Sequence, residues 1–339
     1  MTSNQQVVMR QRPHGKPSAA DFDLVERPTP APGPGEVLVE TAWLSLDPYM
    51  RGRMAAGPSY ASPLEPGDVI TGEVVGRVSQ SCVPDIPAGS FVRAPSGWQS
   101  HAVHAASAVH VVDPGKAPLS AYLGVLGMPG LTAYAGLHEL GRPKASETLV
   151  VAAATGPVGS LVGQLAKRLG VRTVGIAGGA DKVEMLAETF GFDVALDHRS
   201  ANFDKALRAA CPGGVDVYVE LVGGHVFDAV LPLLNVHARI PVIGTVAHYN
   251  ATESAPGPDR MPMLMRQILV KRLAVEGLIV WDFEHLRPRF VDEMAALIRV
   301  GAIRYVEDVT EGLAAAPEAF IGLLEGANRG KALVRVAEP

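Results

Sequence analysis

Between residues 148 and 300 the apolar positions alternate between two periods. Short β-branched runs at 148–153, 172–177, 193–197, 215–221, 238–243 and 273–279 read as strands, the first of them apolar enough to be buried on both faces. Between them the spacing is helical. Val158, Leu161, Val162, Leu165 and Leu169 mark one helix, and others are predicted over 202–210, 225–234, 263–271 and from about His285. Strand and helix in strict alternation predict an α/β fold with a doubly wound parallel sheet.

The flanks read differently. Pro13, Pro17, Pro28, Pro30, Pro32 and Pro34 divide residues 1–35 into short extended pieces, with one strand at Phe22, Leu24 and Val25. EVLVETAW at 36–43 is a strand after the Pro34-Gly35 turn, and short β segments follow in 67–78, 89–94 and 97–113, a pattern of a small irregular β domain. Residues 118–141 read as two helices with a break at Met128-Pro129-Gly130, a hinge between domains. A strand at 306–310, a helix around 317–325 and β structure in GANRGKALVRV return to the first domain. The expected division is 1–125 for the β domain, 126–305 for the nucleotide-binding domain, and 306–339 rejoining the first.

The chemistry concentrates after the first strand of the alternating region. Ala154-x-Gly156-x-x-Gly159 follows that strand at once and opens a helix, the context in which a glycine turn cradles a pyrophosphate. At the end of the next strand a dinucleotide enzyme using NADH places an acid for the ribose hydroxyls. This chain has Gly178 and Gly179 there, with Lys182 in the first turn of the following helix, so room and positive charge for a 2′-phosphate favour NADPH. Asp181 is an alternative ribose acid, although an acid at a helix start is favourable for the macrodipole alone.

Composition narrows the classes. A chain of 339 residues with 47% hydrophobic and 19% charged residues suits two globular domains, and a net charge of −5 without a basic stripe argues against nucleic acid as a partner. No apolar run reaches the roughly 18 residues that cross a bilayer, and MTSNQQVVMRQRP lacks the apolar core of a secretory signal, so the expected location is cytoplasmic and no membrane partner is expected. Cys82 and Cys211 are too few for a disulfide framework. His101, His104 and His110 lack the tight companion ligands of a zinc site and read as strand or loop histidines. Two stretches stay open: LSLDPYMRGRM at 44–54 is either surface loop or the wall of a pocket, and MPMLMRQILV at 261–270 is either a Met-rich lid or, the reading preferred, helix core.

LDPYMRGRM at 46–54, GWQSHAV at 97–103, GMPGLTAYAGL at 127–137, AAATGPVGSLVGQLAK at 152–167, GGADK at 178–182, IGTVAHYN at 243–250, EGLIVWDF at 276–283 and GANRGKALV at 326–334 together resemble the zinc-independent medium-chain dehydrogenase/reductases of the prostaglandin reductase group, which includes curcumin-reductase-like and 2-alkenal reductases. The resemblance implies a GroES-like β domain built from both chain ends, a Rossmann domain between them, NADPH as cofactor and a homodimer. Zinc-dependent relatives carry a cysteine where Leu44–Asp47 stands and a Gly-His-Glu triplet where Thr71-Gly72-Glu73 stands, so the resemblance implies that no metal is bound here. The chemistry implied is reduction of the carbon–carbon double bond of an enone or enal, a small-molecule substrate. Hydride would go to the β-carbon, charge to the carbonyl oxygen and a proton to the α-carbon.

That reaction asks for a hydrogen-bond donor at the developing enolate. Tyr249 is the first candidate and Tyr49 the second, with water able to deliver the proton in place of either. For the cofactor the resemblance implies Gly156, Pro157, Val158 and Gly159 at the pyrophosphate, with Met128, Thr132 and Thr155 also among the cofactor-binding residues. Gly178, Gly179, Lys182 and His198 fall toward the 2′-phosphate. Ile243, Gly244, Thr245 and Tyr249 with Leu278, Ile279 and Val280 lie along the nicotinamide side, and Asn328 near the cofactor. His198 stands where many relatives have Tyr, which would make affinity pH-dependent near the imidazole range. Leu221 stands where many have Asn, which removes a polar contact. A quinone reductase, a zinc-free carbonyl reductase or alcohol dehydrogenase, and a non-catalytic NADPH-binding protein are the alternatives.

Overall fold

The computed structural model describes residues 3–57, 59–253 and 259–338. The chain forms two compact units, residues 1–124 with 307–339, and residues 125–306. The first begins with an antiparallel pair, β1 (Ser3–Met9) and β2 (Phe22–Pro28), so the segment expected to hold one strand holds two. β3 (Glu36–Ser45) follows, then a one-turn helix α1 (Tyr49–Arg53), β4 (Val74–Ser81), β5 (Phe91–Ala94), β6 (His101–Ala105) and β7 (His110–Val111). The long β3 pairs with both β4 and β6.

The 44–54 stretch is interior rather than surface. Leu44, Leu46, Met50 and Met54 are almost fully buried around Trp98, which stacks on Phe22 at 5.9 Å between ring centres. No single period describes these residues because they leave a strand, turn at Asp47-Pro48 and close one helical turn. Arg51 is buried with them, and its guanidinium donates to the Gly15 carbonyl at 2.7 Å, tying the proline-rich segment down.

The second unit opens with α2 (Met128–Ala135), which continues as a wider π-turn over Gly136–Gly141. Met128 and Pro129 start this helix instead of breaking one, as a proline at the first positions lacks only an N–H that would be unpaired anyway. β8 (Thr148–Val151), α3 (Pro157–Arg168), β9 (Arg172–Ala177), α4 (Ala180–Glu188), β10 (Val194–Asp197), α5 (Phe203–Ala210), β11 (Val215–Val219), α6 (Gly224–Val230), β12 (Leu234–Val242), α7 (Met261–Lys271), β13 (Ala274–Gly277) and α8 (Arg287–Arg299) complete it. Among the described residues these strands form one parallel sheet in the order β10-β9-β8-β11-β12-β13. The order reverses between β8 and β11, so a crevice opens at their carboxyl ends, where open α/β sheets take ligands.

β12 begins at Leu234, four residues before the expected start, because α6 stops at Val230 and a 3-10 turn over Leu231–Leu233 finishes the connection. α7 departs from the expected helix core: none of its residues is buried, Leu264 and Ile268 lie half-buried against the sheet, and Met261, Met263, Met265, Leu269 and Val270 are exposed. Part of the loop expected at 251–262 lies outside the described residues.

The last segment returns to the first unit through β14 (Glu307–Glu311), α9 (Ala316–Leu324) and β15 (Lys331–Arg335). β15 pairs antiparallel with β3 and parallel with β14, extending that sheet from the far end of the sequence.

Packing of α3 on the parallel sheet leaves no room at its centre. A Cβ at Gly163 would lie 2.1 Å from the Phe192 ring, and one at Gly175 in β9 would lie 2.8 Å from the same ring. Gly163→Ala should therefore destabilise the chain by about 1–3 kcal/mol despite the better helix propensity of alanine. Adding Phe192→Leu should recover part of the loss in urea unfolding. Unchanged stability of the single variant would mean that the ring yields freely.

Candidate functional site

The turn after β8 is shaped to bring backbone close to whatever it holds. Ala153 adopts a left-handed conformation with φ of 47°, and the Ala154 N–H donates to Ile176 in β9 at 3.0 Å. Thr155 is buried, Gly156 is the N-cap of α3, and Pro157 and Val158 begin the helix. A Cβ at Gly159 would stand 2.7 Å from both the Ala153 carbonyl oxygen and the Ala154 Cα, so only glycine lets α3 start this close to the turn. No side chain caps this helix, whose first-turn amides and positive dipole end suit an anion.

A second feature forms at the ends of β9 and β10. Gly179 has φ of 96° and its N–H donates to Asp197 Oδ1 at 3.1 Å, and the Arg199 N–H donates to the same oxygen at 2.9 Å. These amides hold the Asp197 carboxyl below its usual range. Over Gly178 stand two side chains: a Cβ there would lie 2.8 Å from Arg199 Nε and 2.8 Å from His198 Nε2. Lys182 sits in the first turn of α4 and its charge is felt at His198. The expected Gly178, Gly179, Lys182 and His198 thus come together, and Arg199 joins them. Sequence reading passed over Arg199, although a basic residue next to His198 at a strand end was the available signal. Asp181 lies in the first turn of α4.

On the other side of the strand reversal, the loop after β12 is hung from the turn after β11. Ile243 and Gly244 donate their N–H groups to the Glu220 carbonyl at 2.9 and 3.2 Å, Val246 donates to Leu221 at 3.3 Å, and Ala247 to Val222 at 3.0 Å. Leu221 therefore contributes its backbone here. A Cβ at Gly244 would meet the Tyr249 hydroxyl at 3.4 Å, so Tyr249 folds back over Gly244 and next to Thr245. Burial pushes the Tyr249 hydroxyl up, partly offset by the Thr245 backbone, so it keeps its proton at neutral pH. Ile243, Leu278 and Val280 share one apolar cluster with Ala135 and Leu140, next to Gly136, and Ile279 runs between the last two. Thr132, in α2, donates its hydroxyl to the Met128 carbonyl at 2.8 Å.

Tyr49 and Asn328 belong to the first unit. Tyr49 is half-buried against the core around Trp98, and burial with the Asp47 and Glu73 carboxylates raises its hydroxyl far above the ordinary range. Asn328 donates to the Gly330 carbonyl at 2.7 Å. Around Leu44–Asp47 and Glu73 the interior is filled by ion pairs: Lys331 Nζ, itself buried, meets Asp47 at 3.1 Å and the Leu46 carbonyl at 2.6 Å, and Arg93 meets Glu73 at 2.5 Å. His104 pairs with Ser96 at 2.8 Å and His101 with Ser100 at 2.9 Å. Among the described residues no three His, Cys, Asp or Glu side chains gather as a metal site would require.

A sequence profile described as the N-terminal domain of oxidoreductase matches residues 5–112, and one described as zinc-binding dehydrogenase matches residues 157–296. The NADPH-dependent curcumin reductase of Escherichia coli K12 is 51% identical over 337 residues, 98% of this chain and 97% of that protein. The chain belongs to the medium-chain dehydrogenase/reductase family. Within it, the chain falls in the zinc-independent group of curcumin, 2-alkenal and prostaglandin reductases. The NADP(+)-dependent 2-alkenal reductase of Nicotiana tabacum is 39% identical over 99% of this chain and 98% of its own length. Among solved structures, CurA from Vibrio vulnificus in complex with NADPH superposes with a TM-score of 0.95 at 46% identity, covering 99% of this chain and 100% of that one. The parallel sheet with its glycine turn is accordingly the Rossmann-type domain of a medium-chain dehydrogenase/reductase.

The histidines of this medium-chain reductase give a pH prediction. Burial is the main cause that lowers the affinity of His198 for a proton, with Arg199 next, and burial does the same for His104 and His138. A histidine whose folded pKa is depressed binds fewer protons in the native state, so its contribution to stability is lost as pH falls below about 6.5, the unfolded value. Compared with His198→Gln, the unliganded wild-type protein should lose unfolding free energy below that pH and not above it. Parallel stability curves from pH 8 to pH 5 would overturn the assignment.

Proposed function

We propose that this chain is an NADPH-dependent reductase of the carbon–carbon double bond of α,β-unsaturated ketones and aldehydes. The observation that carries the cofactor is the cluster of Lys182, His198 and Arg199 around the side-chain-free positions Gly178 and Gly179. Three nitrogenous side chains gathered where β9 and β10 end, with Asp197 Oδ1 already accepting two backbone amides, suit a 2′-phosphate better than the free ribose hydroxyls. The fit extends to the cradle, where Thr155, Gly156, Pro157, Val158 and Gly159 offer an uncapped helix start to the pyrophosphate. The reaction class rests on the curcumin and 2-alkenal reductases to which the chain is similar over nearly its whole length.

NADPH held there would supply the hydride that the β-carbon of the substrate accepts. The chain's own part is to orient and to stabilise charge. Ile243, Leu278 and Val280 share an apolar cluster that gives the nicotinamide side a wall against water. Gly244, Thr245 and Ile279 adjoin them in sequence, and Met128, Thr132 and Asn328 are assigned to the cofactor on the family resemblance alone. The Tyr249 hydroxyl, protonated at neutral pH, is a hydrogen-bond donor for the carbonyl oxygen as negative charge develops on it. Tyr49 is the second donor, and the α-carbon takes its proton from either hydroxyl or from water. No step needs a metal, and the Lys331–Asp47 and Arg93–Glu73 pairs fill the segment where zinc-dependent relatives hold theirs.

The protein acts as a homodimer in the cytoplasm. β13 is an exposed edge strand beside α7, and together they present Met261, Met263, Met265, Leu269, Val270 and Val275 to solvent, an apolar face that a second copy would cover. Among the described residues no helix is long and apolar enough to cross a membrane, and both cysteines are unpaired.

NADPH oxidation followed at 340 nm with enones, quinones and saturated ketones, with NADH alongside and mass detection of product, tests the reading. Saturated ketone from enone, with NADPH strongly preferred, is expected; turnover of quinones alone would replace enones as the substrate class. Lys182→Ala and Arg199→Ala should each raise the KM for NADPH about tenfold and leave NADH unchanged. Tyr249→Phe should lower kcat by roughly ten- to a hundredfold with little change in the KM for NADPH. A Tyr249→Phe enzyme as fast as wild type would return proton supply and oxyanion contact to Tyr49 or water.

A further inference from the structure

Glu220 is the residue after β11, at the sheet's point of reversal, and is only 2% exposed. A carboxyl is buried at such cost only when it does something for its surroundings. Its Oε1 accepts two backbone N–H groups, from Val222 at 2.6 Å and from Gly223 at 2.7 Å. Its own backbone is committed in both directions, the N–H to Pro241 at 2.9 Å and the carbonyl to Ile243 and Gly244. The turn it grips has little stiffness of its own, since Gly223 and Gly224 have φ of 77° and 57°. Yet the carbonyls of Leu221 and Val222, in that turn, hold Val246 and Ala247 of the loop that ends at Tyr249.

We propose that Glu220 is a positioning residue: by clamping the 222–223 amides it fixes the carbonyls from which the whole 243–249 loop, with Tyr249 and the nicotinamide-side wall, is suspended. It touches neither cofactor nor substrate. The second oxygen, Oε2, and the hydroxyl of the neighbouring Tyr218 are both buried and make no hydrogen bond, while Glu220 raises the proton affinity of Tyr218 and Tyr218 lowers that of Glu220. The acceptor at Oε1 is therefore what the clamp requires, and the negative charge is dispensable. Burial, the largest influence, raises the carboxyl above its ordinary range, against the pull of the two amides. A carboxamide at this position can accept the same two N–H groups and turn its NH2 toward the Tyr218 oxygen.

The proposal rests on the NADPH reading for its consequence and on the loop geometry for its cause, so the test reads both. Full-length wild type, Glu220→Gln, Glu220→Asp and Glu220→Ala are compared by amide hydrogen exchange without nucleotide and by NADPH titration followed through nucleotide fluorescence. In Glu220→Ala the amides of Ile243, Gly244, Val246 and Ala247 should exchange at least about tenfold faster while those of β8 stay unchanged, and NADPH should bind about tenfold more weakly. kcat at saturating NADPH should fall as well, but by less than in Tyr249→Phe, because the Tyr249 hydroxyl is displaced and not removed, and Glu220→Gln should restore it. Glu220→Gln should stay within about twofold of wild type in every reading. Should Glu220→Ala fail to fold, Glu220→Asp decides, because its carboxylate is withdrawn by one methylene and cannot reach both amides; loop exchange as slow as wild type would overturn the clamp. A folded Glu220→Ala protein with wild-type loop exchange, or Glu220→Gln as impaired as Glu220→Ala, would overturn it too. If wild type itself binds no NADPH, the cofactor reading falls and the exchange comparison alone judges the clamp.

Discussion

The second unit depends on how close α3 can lie to the sheet. The helix starts against the backbone of Ala153 and Ala154, and its middle rests on Phe192, which also presses on β9. Any side chain at Gly159, Gly163 or Gly175 would lift the helix away. Two consequences follow from one steric constraint: the parallel strands β8 and β9 are sealed from water on that face, and the helix start is delivered to the sheet's reversal point, where its amides face outward. Packing and anion binding are therefore not separable at this turn.

The first unit is held by a different balance. Its interior contains Trp98 between Phe22 and Phe320, but it also contains Arg51, Arg93, Asp47 and Lys331. Each of these charges has a partner: Arg51 the Gly15 carbonyl, Arg93 the Glu73 carboxylate, and Asp47 and Lys331 each other, so their burial is tolerable, and breaking one pair would leave an uncompensated ion inside. Lys331 has a further structural effect, since it connects the last strand to the 44–49 segment across most of the sequence. The chain ends are joined by this ammonium as well as by the β3–β15 ladder.

At the candidate site, polar side chains serve two unlike purposes. Lys182 and Arg199 present positive charge, and His198 an imidazole, around two glycines, whereas Glu220 and Asp197 each commit one oxygen to backbone amides and shape the loops. A list of titratable residues near a cleft would mix the two groups. Hydrogen-bond bookkeeping separates them, because in each acid one oxygen accepts two backbone N–H groups and so holds a turn in place.

Much was legible in the sequence because it is governed by local rules. Period-two and period-3.6 patterns set the alternating strands and helices, the Ala154-x-Gly156-x-x-Gly159 turn lies in its strand–turn–helix context, and Gly178, Gly179 and Lys182 stand where their spacing put them. What the local pattern could not decide were matters of partners distant in sequence. The 44–54 stretch looked aperiodic and proved to be core, because its neighbours Trp98 and Lys331 come from far along the chain. α7 looked like core and proved exposed, since amphipathic spacing does not say which face a sheet leaves uncovered. Arg199 joined the basic cluster only through the turn after β10, and Glu220 read as one more acid until its two amide donors and the loop they govern were seen in three dimensions. Sequence periodicity specifies which elements form; the company that a charged side chain keeps, and hence whether it binds a ligand or holds a loop, is settled only when those elements pack.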